Sequence, residues 1–292
     1  MYYLFYGFIW LITWLPLGVL YLLSDLSYLI IYYLVGYRKQ VARTNIEKSF
    51  PDKSEHERRR IERRFFRFFC DIIVESVYEM HISKAEMLKR MNFCNVEVLW
   101  DQYEKGKSCL LMTAHYGNWE WASALSLSLP PDKPLYGIYK QLRDKNFDAL
   151  IYELRSKSTG KNIEKNDLFR KMIHLKNDGQ LAMFGMISDQ TPNAKNLNYW
   201  TKFLNQDTPV LTGTEVLARK FDYPVYYAEI TRIKRGYYKC EFIPVSLEPT
   251  KTQEFEITEK YMQLLQKTIE KNPEYWLWSH RRWKHKRNLS TI

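Results

Sequence analysis

The sequence predicts an α/β fold: a central mixed, largely parallel sheet flanked by helices, plus an N-terminal membrane-anchoring helix or hairpin. Three observations carry this expectation. From residue 107 onward, apolar runs of strand length alternate with segments of helical period. No charged side chain occurs between Met1 and Ser24. A chain of 292 residues with 46% apolar side chains can bury one large core.

The N-terminal stretch "YYLFYGFIWLITWLPLGVLYLL" is long enough to cross roughly 30 Å of hydrocarbon. It lacks the basic start and small-residue cleavage pattern of a signal peptide, so it is expected to remain. Pro16, followed by Gly18, predicts either a kink in one spanning helix or a hairpin with the apolar run 28 to 36. Arg38, Lys39 and Arg43 follow at once, which places the remainder of the chain on the cytoplasmic side by the positive-inside rule. The expected division is an anchor over 1–36 and a single globular domain over 37–292.

Next comes a long helix. Ser54 and Glu57 have the spacing of a capping box, and Phe65, Phe66, Phe68, Phe69, Ile72, Ile73 and Val77 fall on one broad side. Arg58, Arg59, Arg60, Arg63, Arg64 and Arg67 crowd its first turns. Periodicity alone leaves two readings open: a helix lying on a bilayer, or a core helix with a solvated basic end. Further along, "SCLLMTA", "PLYGIY", "LAMFGMIS", "YPVYYAEIT" and "YYKCEFIPV" predict strands. Helices are predicted near residues 118 to 128, 144 to 157, 166 to 178, 211 to 221 and 257 to 271.

The net charge of +11 is concentrated: residues 37 to 69 hold 11 basic and 5 acidic side chains, and residues 280 to 287 hold 5 basic and none acidic. A local positive surplus suits phosphate groups, and the apolar N-terminus makes anionic lipid, not nucleic acid, the expected partner. Cys70, Cys94, Cys109 and Cys240 form no CxxC pair, so neither a zinc site nor a disulfide framework is predicted, in agreement with a reducing compartment.

The chemistry concentrates in "HYGNWEW", directly after the apolar run "SCLLMTA". His115 is expected at the carboxyl end of a buried strand, where open α/β sheets place their ligands. Gly117 permits a tight turn and Asn118 is a favoured N-cap. Glu120 falls in the first helical turn, from which it can fold back towards the imidazole and orient it as a general base. The competing reading is a turn in which His115 packs and Glu120 only serves the helix N-terminus. There is no G-x-S-x-G elbow, phosphate loop or H-E-x-x-H motif, so the attacking nucleophile is expected to belong to the substrate.

"HYGNWE" matches the H-x-x-x-x-[DE] motif of glycerolipid-type acyltransferases, and its form resembles the late acyltransferases of lipid A biosynthesis, the lauroyl and myristoyl transferases. The likeness continues through "NIEKSFPDKSEHER", "ELRSKSTG", "MISDQTPN" and "NPEYWLWSHRRWK", which span nearly the whole chain. The resemblance implies a glycerol-3-phosphate acyltransferase-like domain that moves a fatty acyl chain from an acyl carrier protein thioester, or from acyl-CoA, to a hydroxyl of a lipid A precursor. Another membrane lipid is the rival acceptor, and a non-catalytic membrane-surface protein the rival class. By motif, His115 is the base, Glu120 its orienting carboxylate, and Gly117 and Asn118 part of the substrate-binding turn. Arg155 and Asp189 match family positions at the active site; an Arg155–Asp189 ion pair of purely structural meaning is the alternative for both. Lys140 stands where many members have arginine and is given no role. No cofactor and no metal are implied. The closing "WLWSHRRWK" reads equally as a phosphate or carrier-protein contact and as a Trp-packed structural segment. A bacterial inner-membrane enzyme with its catalytic domain on the cytoplasmic side is the expected setting.

Overall fold

The computed structural model describes residues 7, 10–130, 132–139 and 161–287. Arg155, Lys140 and the helix expected near 144 to 157 lie outside them. Helical structure that reaches Ile12 breaks before Pro16, which lacks the N–H a continuing helix needs. The chain restarts as α1 (Leu17–Leu29), which runs on through a π-helical turn (Ile30–Val35) to Gly36, a left-handed cap at φ 66°. Of the two arrangements expected at Pro16, a kink or a hairpin with the run 28 to 36, the hairpin is absent from the described residues: the run 28 to 36 continues the helix that starts at Leu17.

Helices α2 (Lys39–Ser49) and α3 (Glu55–Tyr78) follow. The capping box of α3 forms as expected: the Ser54 side chain accepts from the Glu57 N–H, and Glu57 accepts from the Ser54 N–H. Phe65, Phe66, Phe68 and Ile72 are buried, whereas Ile73 is exposed. Of the two readings left open for this helix, the core reading holds, because its aromatic side is consumed by the domain interior.

The domain continues with α4 (Lys84–Arg90), β1 (Met91–Phe93), α5 (Glu97–Glu104), β2 (Cys109–Thr113), a 3-10 helix (Trp121–Ser128), β3 (Leu135–Tyr139) and β4 (Lys161–Glu164). Then come α6 (Leu168–Asn177), β5 (Met183–Ile187), the hairpin β6 (Trp200–Phe203) and β7 (Gln206–Pro209), α7 (Gly213–Phe221), β8 (Val225–Lys234), β9 (Tyr237–Ser246) and α8 (Glu256–Lys271). The five apolar runs singled out in the sequence are β2, β3, β5, β8 and β9. Short β1 and β4 carry too few apolar residues to show period-two alternation.

The main sheet has the order β1-β9-β8-β2-β5-β3-β4. Strands β8, β2, β5, β3 and β4 run parallel, and β9 returns antiparallel against β8. All five residues of β2 are buried. Leu110 and Met112 pack with Phe184, Tyr227 and Leu265 on one face. Cys109 and Leu111 pack with Met183, Tyr226 and Trp121 on the other. Burial on both faces explains why this strand reads as a continuous apolar run without alternation.

Candidate active site

The site forms where β2 and β5 end side by side. Their register pairs Thr113 with Ile187, so His115 and Asp189 each stand two residues beyond the same rung. The ladder passes into side-chain contacts at this point: the Ser188 N–H donates to the Thr113 carbonyl, and the His115 N–H donates to Asp189 Oδ2 over 3.0 Å. Nδ1 of His115 lies 2.8 Å from Asp189 Oδ1. An ionised carboxylate only accepts, so Nδ1 carries the proton and Nε2 keeps its lone pair. Gln190 places its side-chain N–H group 3.2 Å from that Nε2 and donates to it. The imidazole is thereby held in the tautomer that a general base requires.

Asp189 is fully enclosed. Burial pushes its pKa up, but attraction to His115 and hydrogen bonds from the His115 ring, the Trp276 indole (2.9 Å) and the His115 N–H outweigh burial, and the carboxyl is held below its ordinary range. Asp189, expected here from the resemblance as a substrate-binding residue, is thus the carboxylate bonded to Nδ1 of His115. Glu120, expected to orient the imidazole, is linked to it here through Trp119. Its Oε1 accepts from the Trp119 indole over 2.9 Å, and the Trp119 ring lies against His115 with centroids 5.2 Å apart. Residues 117 to 120 form a series of bends, and a 3-10 helix begins at Trp121, in place of the α-helix predicted over 118 to 128.

Gly117 and Asn118 build that turn. Gly117 has φ 58°, and a Cβ there would sit 2.7 Å from Ile230 Cγ2, so both conformation and space call for glycine. Asn118, predicted as the N-cap, stands two residues before that position, which Glu120 holds, yet its Oδ1 accepts from the Trp121 N–H over 3.0 Å. Its amide N–H group donates to Glu75 Oε2 on α3 over 2.8 Å. Glu75 is a wholly buried acceptor that also receives the hydroxyls of Tyr21 on α1 (2.6 Å) and Tyr238 on β9 (2.7 Å). Sequence reasoning misses it because a lone glutamate on an amphipathic helix looks like a surface residue.

Burial raises the Glu75 carboxyl to about 6 against the opposing hydrogen bonds of Tyr21 and Tyr238. The folded protein therefore holds this proton more tightly than the unfolded chain, whose glutamate has the usual value of 4.5. The contribution of this group is full below that value and lost as pH rises through about 6, a span worth about 2 kcal/mol. Thermal melts between pH 5 and 7 should show the decline in the native protein and a flatter profile in Glu75→Gln.

The C-terminal segment closes over the turn. The Gly117 N–H donates to the Tyr275 carbonyl and the Leu277 N–H to the His115 carbonyl, while Trp276, Trp278 and Arg282 are buried. Of the two readings of "WLWSHRRWK", packing accounts for its tryptophans. Two of its basic groups also belong to the surroundings of the dyad. Burial lowers His280 to about 4 and Arg282 to about 10, in each case against the pull of Asp189, so His280 is neutral at pH 7 and Arg282 is charged.

Next to the dyad lies a cavity with about 820 Å³ of atom-free space, part of it open to solvent. Trp119, Glu120 and Ser123 of the turn line it, as do Leu111, Gly137 and Gly185 on the sheet. Register explains the room: Leu111, Gly185 and Gly137 are neighbours in one row across β2, β5 and β3, and two of the three have no side chain. An apolar cleft beside a histidine whose Nε2 lone pair meets only the Gln190 N–H can hold a hydrocarbon chain and, once that N–H is displaced, remove a proton from a nucleophile.

Comparison with known proteins supplies the family. Residues 1–285 match the family described as bacterial lipid A biosynthesis acyltransferase. The lipid A biosynthesis palmitoleoyltransferase of Escherichia coli (strain K12) is 23% identical over 94% of this chain and 91% of its own length. The lipid A biosynthesis lauroyltransferase of the same organism is 24% identical over 94% of this chain and 92% of its own length. A lipid A biosynthesis acyltransferase of Shigella flexneri is 23% identical over the same shares as the first. With a match that covers nearly all of its length, the chain belongs to the bacterial lipid A biosynthesis acyltransferases and is an acyltransferase.

Proposed function

We propose that the enzyme works at a membrane surface on the cytoplasmic side of the inner membrane. There it transfers a fatty acyl chain from an acyl carrier protein thioester to a hydroxyl of a lipid A precursor. The observation that supports this best is the bonded His115–Asp189 pair next to an apolar cavity lined by Trp119, in a chain whose relatives are named for lipid A acylation. In this reading the domain is of the glycerol-3-phosphate acyltransferase-like type. The acyl chain enters the cavity and its thioester carbonyl comes to rest near His115. The acceptor hydroxyl displaces the Gln190 N–H from Nε2, gives up its proton there and attacks the carbonyl. Asp189 stabilises the imidazolium, which then returns the proton to the departing thiolate. Glu120, at the cavity wall, supports the reaction by fixing the Trp119 indole against the imidazole. Arg155 is assigned to acceptor phosphate or the oxyanion on the family motif alone.

Mass spectrometry of total lipids from cells with and without the gene tests this. Loss of one acyl chain from a lipid A species is the expected result; an unchanged lipid A with a change in another lipid class would overturn the acceptor. The same readout checks the cavity. Gly185 has ordinary φ, and a Cβ there meets only the Tyr136 carbonyl at 3.8 Å, so a larger residue can be accommodated by the backbone. Gly185→Leu should fill the cavity floor and shift the transferred chain to shorter lengths, with transfer of the native chain reduced at least tenfold. An unaltered chain-length distribution would place the acyl group elsewhere.

A further inference from the structure

The 19 residues Leu17–Val35 have the length and hydropathy of a membrane span, yet one side of this helix is bound along its length to the domain. Tyr21, Ser24 and Tyr32 lie on that side. Their hydroxyls donate to Glu75 (2.6 Å), Asp71 (2.7 Å) and Glu62 (2.9 Å) of α3. The partners descend in number as the donors ascend, so α1 and α3 are antiparallel neighbours in fixed register. Arg235, in the turn between β8 and β9, clamps the middle of α1 by bonding both Asp25 and Asp71. Gly236 beside it lies so close that a Cβ would overlap the Tyr21 hydroxyl.

A helix fixed in this way cannot stand upright in a bilayer alone. Spanning would carry the Glu62–Glu75 stretch of α3 into hydrocarbon with it, including the exposed Arg64 and Arg67, and charges at that depth are strongly disfavoured. The opposite side of α1, with the turn before it, is apolar and uncovered: Trp14, Leu22, Leu26, Leu29, Tyr33 and Leu34 are each more than half exposed. Cations flank it. Lys39 Nζ lies 3.8 Å above the Tyr32 ring, and the Arg67 guanidinium lies 5.0 Å from the Tyr28 ring. Apolar residues between cationic edges, with aromatic rings at both ends, fit the boundary between acyl chains and anionic headgroups.

We propose that residues 17 to 35 lie in the plane of the membrane interface, apolar side down among the acyl chains, and do not cross the bilayer. The inference rests on the α1–α3 contacts and holds whichever acceptor the enzyme uses. Spin labels on cysteines at Val19, Leu26 and Tyr33, one heptad apart on the exposed side, test it in the full-length protein with Cys94→Ser. The protein is bound to vesicles of phosphatidylethanolamine and phosphatidylglycerol, and circular dichroism confirms the fold of each variant. Relaxation by oxygen and by an aqueous nickel chelate should place all three labels at one shallow depth, within about 5 Å of one another. A depth that changes steadily by about 20 Å from the first label to the last, as a rise of about 1.5 Å per residue gives an upright helix, would overturn it. So would labels fully exposed to the nickel reagent, or labels shielded from both relaxers as a second protein copy would leave them.

Discussion

Asp189→Asn is expected to reduce acyl transfer by about 10²–10⁴-fold while leaving the melting temperature within a few degrees of the native value. The amide keeps an oxygen for the Trp276 indole and the His115 N–H, which preserves the loop, but it presents an N–H group or a weaker acceptor to Nδ1. A donor facing Nδ1 forces the ring proton onto Nε2, and the lone pair that should take the acceptor's proton is gone. His115→Ala should cause a loss of the same order by removing the base outright. Glu120→Ala separates the two carboxylates: acting through Trp119, it should lower kcat without changing the tautomer, so its pH–rate profile should keep the native shape. Initial rates with purified acceptor and carrier-bound donor decide the matter. A loss below tenfold in both His115→Ala and Asp189→Asn would remove this pair from the chemistry.

Gly117→Ala is expected to be strongly damaging although it adds only one methyl group. The left-handed conformation costs an alanine about 1–2 kcal/mol, and relieving a 2.7 Å contact with Ile230 on β8 adds about 1–3 kcal/mol of overpacking. Because the Gly117 N–H is bonded to the Tyr275 carbonyl, moving the turn also disturbs the C-terminal segment that carries Trp276. Chemical denaturation should therefore show a loss of about 2–5 kcal/mol, with activity falling further than the folded fraction. Native-like stability and activity in this variant would contradict the packing described for the turn.

The strands and the turn are legible in the sequence because their signals are local. A continuous apolar run bounded by polar residues marks β2, and a glycine three residues before Glu120 marks the bend. The partner of His115 is not legible in that way. Asp189 lies 74 residues further on, and only the register of two parallel strands shows that both residues stand at equal distance past one rung. Glu120, the nearer carboxylate in sequence, is the natural expectation because an α-helical turn would aim it at the ring; in the structure the chain bends through 117 to 120 and Glu120 accepts from the Trp119 indole. The aromatic side of α3 is ambiguous for a different reason. Periodicity identifies a sticky face but not what covers it, and here the sheet core does.

If residues 17 to 35 lie in the membrane interface as proposed, the attachment of α1 changes the strategy for making a soluble form of this enzyme. Cutting off an apolar leader is the usual approach, and it suits a leader joined by a flexible tether. Here Glu62, Asp71 and Glu75 would lose tyrosine and serine donors, and Glu75 is the same side chain that holds Asn118 at the base of the turn after His115. Truncation would thus strip away part of the scaffold of the proposed active site along with the apolar surface. A better route keeps the backbone of residues 17 to 35 and the inward Tyr21, Ser24, Tyr28 and Tyr32, and exchanges the outward leucines for glutamine and lysine. It would turn the membrane-seeking helix into an ordinary surface helix of the domain.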